Sequence, residues 1–441
     1  MELKTFKQGI HPHYYKELTS DKAPINMPLP KEIVIPLQQH IGAPCKPLVS
    51  VRDEVRLGQK IGESQSFVSS PVHASVSGTV KKIEARPHPG GAKVNAIVIS
   101  PSDGDQALPP PGPQKDATDL SPDEIKRAVK NAGMVGLGGA GFPTHIKLSP
   151  PKDKHIDTIV INGAECEPYL TSDHHMMLEA PEDIIYGTKL IMRATNAQQA
   201  FIGIEANKPR AIETLSRLVS QGDRITVIAL DVKYPQGAEK MLIKAAVDRE
   251  VPAGGLPMDV GVGVNNVTGT VVIARAVRDG LPVIERIVTV TGKGIKNPQN
   301  VRVRVGTPIR DIIEFCGGLT PDARKVIMGG PMMGIAQSTL DVPTIKASGG
   351  LLILTESEIN DMQPHACIRC GKCVHACPMG LIPSKLGAFI ERDMFDKIEA
   401  YNVNDCMECG CCVYVCPAKR PMVQWIKVGK AVLRARNARK N

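Results

Sequence analysis

Aromatic residues are scarce in this chain, 3% of 441 positions with a single tryptophan, so its buried cores are expected to be aliphatic. No run of about eighteen apolar residues occurs, which leaves no segment able to span a bilayer as a helix. The opening stretch MELKTFKQGIHPHYY lacks the apolar core of a secretory leader, so a cytosolic chain is expected, held at a membrane only by a partner. A disulfide framework is also missing. Of twelve cysteines, nine fall between Cys367 and Cys416, while Cys45, Cys166 and Cys316 stand alone, a distribution unlike that of small secreted domains. What is present is length for several domains, 36 prolines and 40 glycines that imply many turns, and a net charge of +9. That charge suits nucleotides, an acidic protein or an anionic membrane face, and equally a solvated basic surface.

The cysteine cluster has a sharp pattern. CIRCGKCVHACP supplies Cys367, Cys370, Cys373 and Cys377 before Pro378, and CMECGCCVYVCP supplies Cys406, Cys409, Cys412 and Cys416 before Pro417. Each run is C-x-x-C-x-x-C-x-x-x-C-P, the spacing of two-cluster bacterial ferredoxins. Three thiolates on a tight turn grip three irons of one cubane, and Gly371 and Gly410 let the backbone pass close to the sulfides. The fourth cysteine starts a helix that points away and reaches the other cluster. One [4Fe-4S] cluster is therefore expected on Cys367, Cys370, Cys373 and Cys416, the other on Cys406, Cys409, Cys412 and Cys377. Zinc on paired C-x-x-C is the competing reading, and two identical runs closed by proline favour the cubanes. Cys411 is extra to the pattern and reads as a neighbour of the ligands.

Upstream, GMVGLGGAGFPT (133–144) spaces Gly136, Gly138 and Gly141 as G-x-G-x-x-G. A dinucleotide fingerprint follows a strand and opens a helix. Here the order is reversed. SPDEIKRAVKNAG reads as a helix, with Ser121 and Glu124 as a capping box, Pro122 in the first turn and Gly133 as a stop. IDTIVING (156–163), after the loop, reads as a buried strand. The remaining readings are an anion-binding concavity of bare amides that a flat ring can approach closely, or a plain glycine-rich connector.

GLGGAGFPTHIK resembles the flavin loop of the NADH-binding flavoprotein subunit of respiratory complex I, with NGAECEPY and GVGVNNVTGT following in that family's order. Together with GIHPH, LQQHIGAP and the ferredoxin-like end, nearly the whole chain resembles the C-subunit family of Rnf-type ion-translocating ferredoxin:NAD oxidoreductases. The resemblance implies FMN held by Gly136, Gly138, Gly139, Ala140, Gly141 and Phe142, with Lys147 on its phosphate. It places Asn162, Asn265 and Asn266 at the flavin, and Glu165 and Glu167, assigned as catalytic, in the nicotinamide pocket. From residue types alone, these two carboxylates fit either carboxamide and ribose contacts or a solvated loop. Leu137 and Ala164 depart from the complex I version, which has arginine and aspartate there. His174 and His175 are expected at the surface without a role.

The implied function is hydride exchange between NAD(H) and FMN, with single electrons passed through the clusters, since a flavin converts between the two. The implied setting is the cytoplasmic face of the membrane, as a peripheral subunit. Partners are integral membrane and flavin-bearing subunits and, indirectly, ferredoxin; no nucleic acid is expected. Two other readings share these parts: a cobalamin reductase of microcompartments, and an electron-relay subunit without catalysis.

The expected fold is multidomain α/β. An arm (1–32) precedes a barrel-sandwich hybrid domain (33–103) that lacks a carrier lysine at its hairpin tip. A proline-rich linker (104–117) leads to a complex I flavoprotein-like FMN/NADH domain (118–275). A β-grasp domain (283–336), a two-cluster ferredoxin-like helical module (350–425) and a basic tail (426–441) follow. The tail suits lipid headgroups, an acidic partner or a frayed, solvated end.

Overall fold

The computed structural model describes residues 2–104, 106–359 and 363–440, the side chains of 439 and 440 excepted. A four-stranded parallel sheet lies at the centre, in the order Ile225–Leu230, Gln199–Glu205, Thr158–Gly163, Val262–Asn266. Numbered along the chain, this order is 3-2-1-4. The direction of winding therefore reverses between Thr158–Gly163 and Val262–Asn266, and in open α/β sheets it is at the carboxyl ends of such strands that a ligand crevice forms. Thr158–Gly163 is buried almost throughout, as a run of β-branched residues covered on both faces must be. Helices Pro181–Thr195 and Val267–Asp279 cover one face, and the core between contains Ile159, Ile161, Ile202, Ile184, Leu190 and Val271. These side chains are aliphatic, and each contributes roughly 1.5–3 kcal/mol when fully buried.

Helix Pro122–Asn131 starts where the sequence places it. Ser121 Oγ accepts from the Glu124 amide, and the Glu124 carboxylate accepts from the Ser121 amide. The barrel-sandwich consists of two antiparallel sheets around Ile33, Ile35, Val72, Ile97 and Ile99. Its long hairpin, Gly78–Pro87 with Lys93–Pro101, turns at His88–Ala92.

Three expectations need correction. The N-terminal segment is no loose arm: Ile25–Asn26 adds a parallel edge strand beside Gln299–Arg304, and Phe6, Ile10 and Lys16 are buried. Gly350–Thr355 does not open the ferredoxin module. It pairs with Glu285–Thr291 and Ala323–Met328 within a six-stranded sheet, because its burial pattern demands cover on both faces. The basic tail continues one helix, Met422–Lys440, anchored by buried Ile426 and Leu433. The Arg439 and Lys440 side chains lie outside the described residues. Among the described residues, no helix is long and apolar enough to cross a membrane.

Candidate functional site

The crevice of the parallel sheet gathers residues that are far apart in sequence. Asn266 lies opposite Asn162 in the register, at the ends of the two strands where the winding reverses. The glycine loop folds over this point. A Cβ built on Gly138 would sit 3.6 Å from the Asn266 side chain. Gly139 has a φ of +107°, a conformation that suits glycine, and a Cβ there would meet no protein atom within 4 Å. Among the described residues, the amides of Gly138, Gly139 and Ala140 have no protein acceptor and lie exposed. This is a bare N–H concavity of the kind that takes a phosphate or the edge of a ring. Gly136 and Gly141 close the loop's neck, Gly136 donating to the Phe142 carbonyl at 2.8 Å and Gly141 to the Gly136 carbonyl at 3.0 Å. Lys147 ends the short helix Thr144–Lys147. Its Nζ is 3.4 Å from both the Glu239 carboxylate and the Val264 carbonyl, one residue before Asn265. These residues fit FMN: the open glycine amides lie beside Asn266, and the Lys147 ammonium lies next to the strand that carries Asn265 and Asn266.

The segment after the first strand is held by buried lysines that sequence reasoning missed. Lys208 donates to the Ala164 carbonyl at 2.7 Å. Lys16 donates to the carbonyls of Glu165, Glu167 and Leu170 at 2.8, 3.0 and 2.5 Å. Tyr15 stacks on Tyr169, and the Tyr169 amide donates to the Tyr14 carbonyl at 2.7 Å. The N-terminal segment thus sets the backbone of residues 165–170, where Glu165 and Tyr169 hold φ of +47° and +70°.

Glu165 and Glu167 both have protein partners. Glu165 accepts from the Asp173 and His174 amides at 2.7 and 3.2 Å, at the start of helix Ser172–Glu179. Glu167 accepts from the Met332 and Met333 amides at 3.1 and 2.9 Å, and burial pushes its pKa up to about 7. They are therefore not a solvated loop. His174 and His175 depart from the surface placement. His175 is buried, with Nε2 3.1 Å from the Thr19 carbonyl, and burial drives the His174 pKa down to about 4. The cause is helix Ser172–Glu179, which turns the His175 ring to the Thr19 carbonyl of the N-terminal segment. Where Leu137 stands for the arginine of the complex I loop, a guanidinium arrives from another strand: Arg286 Nη2 donates to the Leu137 carbonyl at 3.1 Å.

Five cysteines, Cys377, Cys406, Cys409, Cys411 and Cys412, line one small cavity with Pro378, Met407 and Ile426. Cys373 packs instead with Cys412 and Cys416. Cys367 and Cys370 lie exposed on their loop. Among the described residues, no three metal-binding side chains converge on a single-ion position. Soft thiols spread around a cavity suit a four-iron cubane. Cys411 is fully buried and faces Tyr234.

The two sites are joined directly. Tyr234 follows the third strand of the parallel sheet, is fully buried, and donates its hydroxyl to the Cys409 carbonyl at 2.8 Å. Around it pack Ile10, Cys166, Met332 and Cys411. No sequence signal marked Tyr234, because its partner lies 175 residues away.

Comparisons with known proteins agree with this architecture. Residues 4–105 match the family model described as the RnfC barrel sandwich hybrid domain, and residues 129–275 the Nuo51 FMN-binding domain. Residues 287–336 match the SLBB domain, and 360–417 the 4Fe-4S dicluster domain. The fold and site define a flavin- and iron–sulfur-binding electron-transfer protein. Among its relatives is the C-subunit of the proton-translocating ferredoxin:NAD(+) oxidoreductase complex of Clostridium ljungdahlii, 48% identical over 99% of this chain and 96% of that one. The Na(+)-translocating counterpart of Acetobacterium woodii is also 48% identical, over 99% of each chain. The C-subunit of the ion-translocating oxidoreductase complex of Rhodobacter capsulatus is 42% identical over 99% of this chain and 85% of that one. This chain belongs to that family, the C-subunits of ion-translocating ferredoxin:NAD(+) oxidoreductase complexes. A solved NAD+-reducing [NiFe]-hydrogenase in the H2-reduced state shares the fold at a TM-score of 0.51 and 19% identity, over 71% of this chain and 63% of that one.

Proposed function

We propose that this chain exchanges a hydride between NAD(H) and FMN and relays single electrons through two [4Fe-4S] clusters. It does so as a peripheral subunit of an ion-translocating ferredoxin:NAD(+) oxidoreductase complex. The observation that carries this reading is the buried Tyr234–Cys409 hydrogen bond, which welds the cluster loop to the sheet that forms the flavin crevice. Such a contact holds the cluster loop against that sheet.

Bound FMN supplies the conversion between a two-electron hydride and single electrons. The chain's own residues bind and orient. Gly138, Gly139 and Ala140 offer amides to the phosphate, and Lys147 offers its charge. Gly136, Gly141 and Phe142 shape the loop. Asn162, Asn265 and Asn266 face the ring from the strand ends. The Glu165–Glu167 segment, fixed by Lys16, presents acceptors to the carboxamide and ribose of NAD(H). Cys367, Cys370, Cys373 and Cys416 hold one cluster; Cys406, Cys409, Cys412 and Cys377 hold the other. The proposed site of action is the cytoplasmic face of the membrane. Integral membrane and flavin-bearing subunits there carry the ions and the onward electrons, and ferredoxin exchanges electrons at the far end. Relatives named for protons and for Na(+) are equally similar to this chain, which suits an ion path contained in those other subunits.

The test is cofactor content after anaerobic purification of the full chain. The wild type should contain about eight irons, bind FMN and reduce a dye with NADH. Gly139→Val and Lys147→Glu should lose FMN and keep their iron, because the two sites are built from different segments. A Lys147→Glu protein with full FMN and full activity would sink the phosphate role of Lys147.

A further inference from the structure

We propose that Lys430 is a redox-tuning residue: its side chain, set against the peptide carbonyl of Cys406, raises the reduction potential of the cluster held by Cys406, Cys409 and Cys412. The proposal rests on the reading of those three cysteines as ligands, and not on which fourth cysteine joins them.

By sequence, Lys430 lies in the basic tail, which suits lipid headgroups, an acidic partner or solvent. The structure turns it inward. Lys430 lies one helical turn after buried Ile426, on the face of Met422–Lys440 that packs on the module. Its side chain is 14% exposed, against 55% for Lys427. Nζ lies 2.5 Å from the Cys406 carbonyl and 2.9 Å from the Glu408 carboxylate. The Glu408 amide in turn lies 3.4 Å from Cys406 Sγ. The cation is thus built into the ligand loop.

One-electron reduction adds one negative charge to a thiolate-held cubane and moves no other group. A fixed cation nearby favours the more negative state, most strongly where water is excluded. The cavity wall supplies that exclusion, since Cys377, Cys409 and Cys412 are all buried. The other ligand loop lacks this device. Cys367 and Cys370 are exposed, and among the described residues no lysine or arginine bonds a ligand carbonyl there; Arg420 reaches the His365 carbonyl instead. The cation therefore acts on one cluster and not on the other. Glu408 partly offsets it, so the two side chains predict opposite signs.

The experiment is a redox titration of the anaerobic full-length holoprotein, followed by paramagnetic resonance. Lys430→Met should lower the reduction equilibrium of one cluster about tenfold, or about 59 mV for one electron. That cluster should be the one whose signal is missing in Cys406→Ser. Lys430→Arg should stay near the wild type, and Glu408→Gln should shift the same cluster upward. Unchanged potentials in Lys430→Met with full iron would overturn the proposal, as would a shift on the cluster lost in Cys367→Ser. If Lys430→Met fails to assemble clusters, Glu408→Gln decides, and an unmoved potential there overturns it. A failure of the crossed Cys377 assignment would appear in Cys377→Ser and leave this result untouched.

Discussion

Replacing Lys16 with Met removes the donor that three pocket carbonyls share while keeping most of the side-chain volume. The bonds at 2.8, 3.0 and 2.5 Å satisfy all three ammonium protons. Each such charged bond is worth roughly 1.5–3 kcal/mol, so about 4.5–9 kcal/mol of gross interaction is lost. Against this, the variant no longer buries an ammonium, which costs several kcal/mol per ion. That cost is visible in the lysine itself, since burial pushes Lys16 below the ordinary lysine range while the Glu165 carboxylate opposes the shift. The net expectation is a local loss of about 3 kcal/mol, or more than a hundredfold in the population of a displaced pocket wall. The left-handed backbone at Glu165 and Tyr169 makes that wall the part to relax. Hydrogen exchange followed by mass spectrometry reads this directly. Amides of 165–172 should lose protection while peptides of the barrel-sandwich keep theirs. A rise in KM for NADH should accompany the loss. Unchanged protection at 165–172, or an even loss across the whole chain, would refute the pinning role.

Two further outcomes follow from other parts of the molecule. Cys377→Ser should disturb the cluster gripped by Cys406, Cys409 and Cys412, because its thiol lines their cavity; paramagnetic loss confined to the cluster of Cys367, Cys370 and Cys373 would contradict the crossed arrangement. His73 is buried in the barrel-sandwich, and burial first, then the Lys346 ammonium, lowers its pKa from 6.5 to about 3. The folded state therefore resists a proton that the unfolded chain accepts. The stability held by neutral His73 is complete above pH ~6.5 and declines as the pH falls toward 3, by about 2 kcal/mol between pH 7.5 and 5. Urea unfolding of the wild type and His73→Gln should converge by that amount on acidification, and a pH-independent difference would count against the buried neutral ring.

Chemistry that local spacing encodes was legible in the residues alone. Eight cysteines in two identical runs carry the dicluster pattern within twelve residues each, and the glycine loop carries its open backbone at Gly138 and Gly139. The helix at Pro122–Asn131 was legible for the same reason, because a capping box is a contact between residues three apart. Features that depend on residues meeting across long separations came from the assembled fold. The reversal of winding that puts Asn162 beside Asn266 is a property of strand order, which periodicity does not reveal. Lys16 on the Glu165–Leu170 carbonyls spans about 150 residues, and Tyr234 on Cys409 spans 175. A lysine that stitches backbone and one that faces water have the same letter and the same flanks. By composition alone, Lys16 and Lys430 therefore read only as members of an N-terminal arm and a basic tail. Their roles follow from burial, which forces an ammonium to find acceptors, and only the packed chain says which carbonyls are within reach.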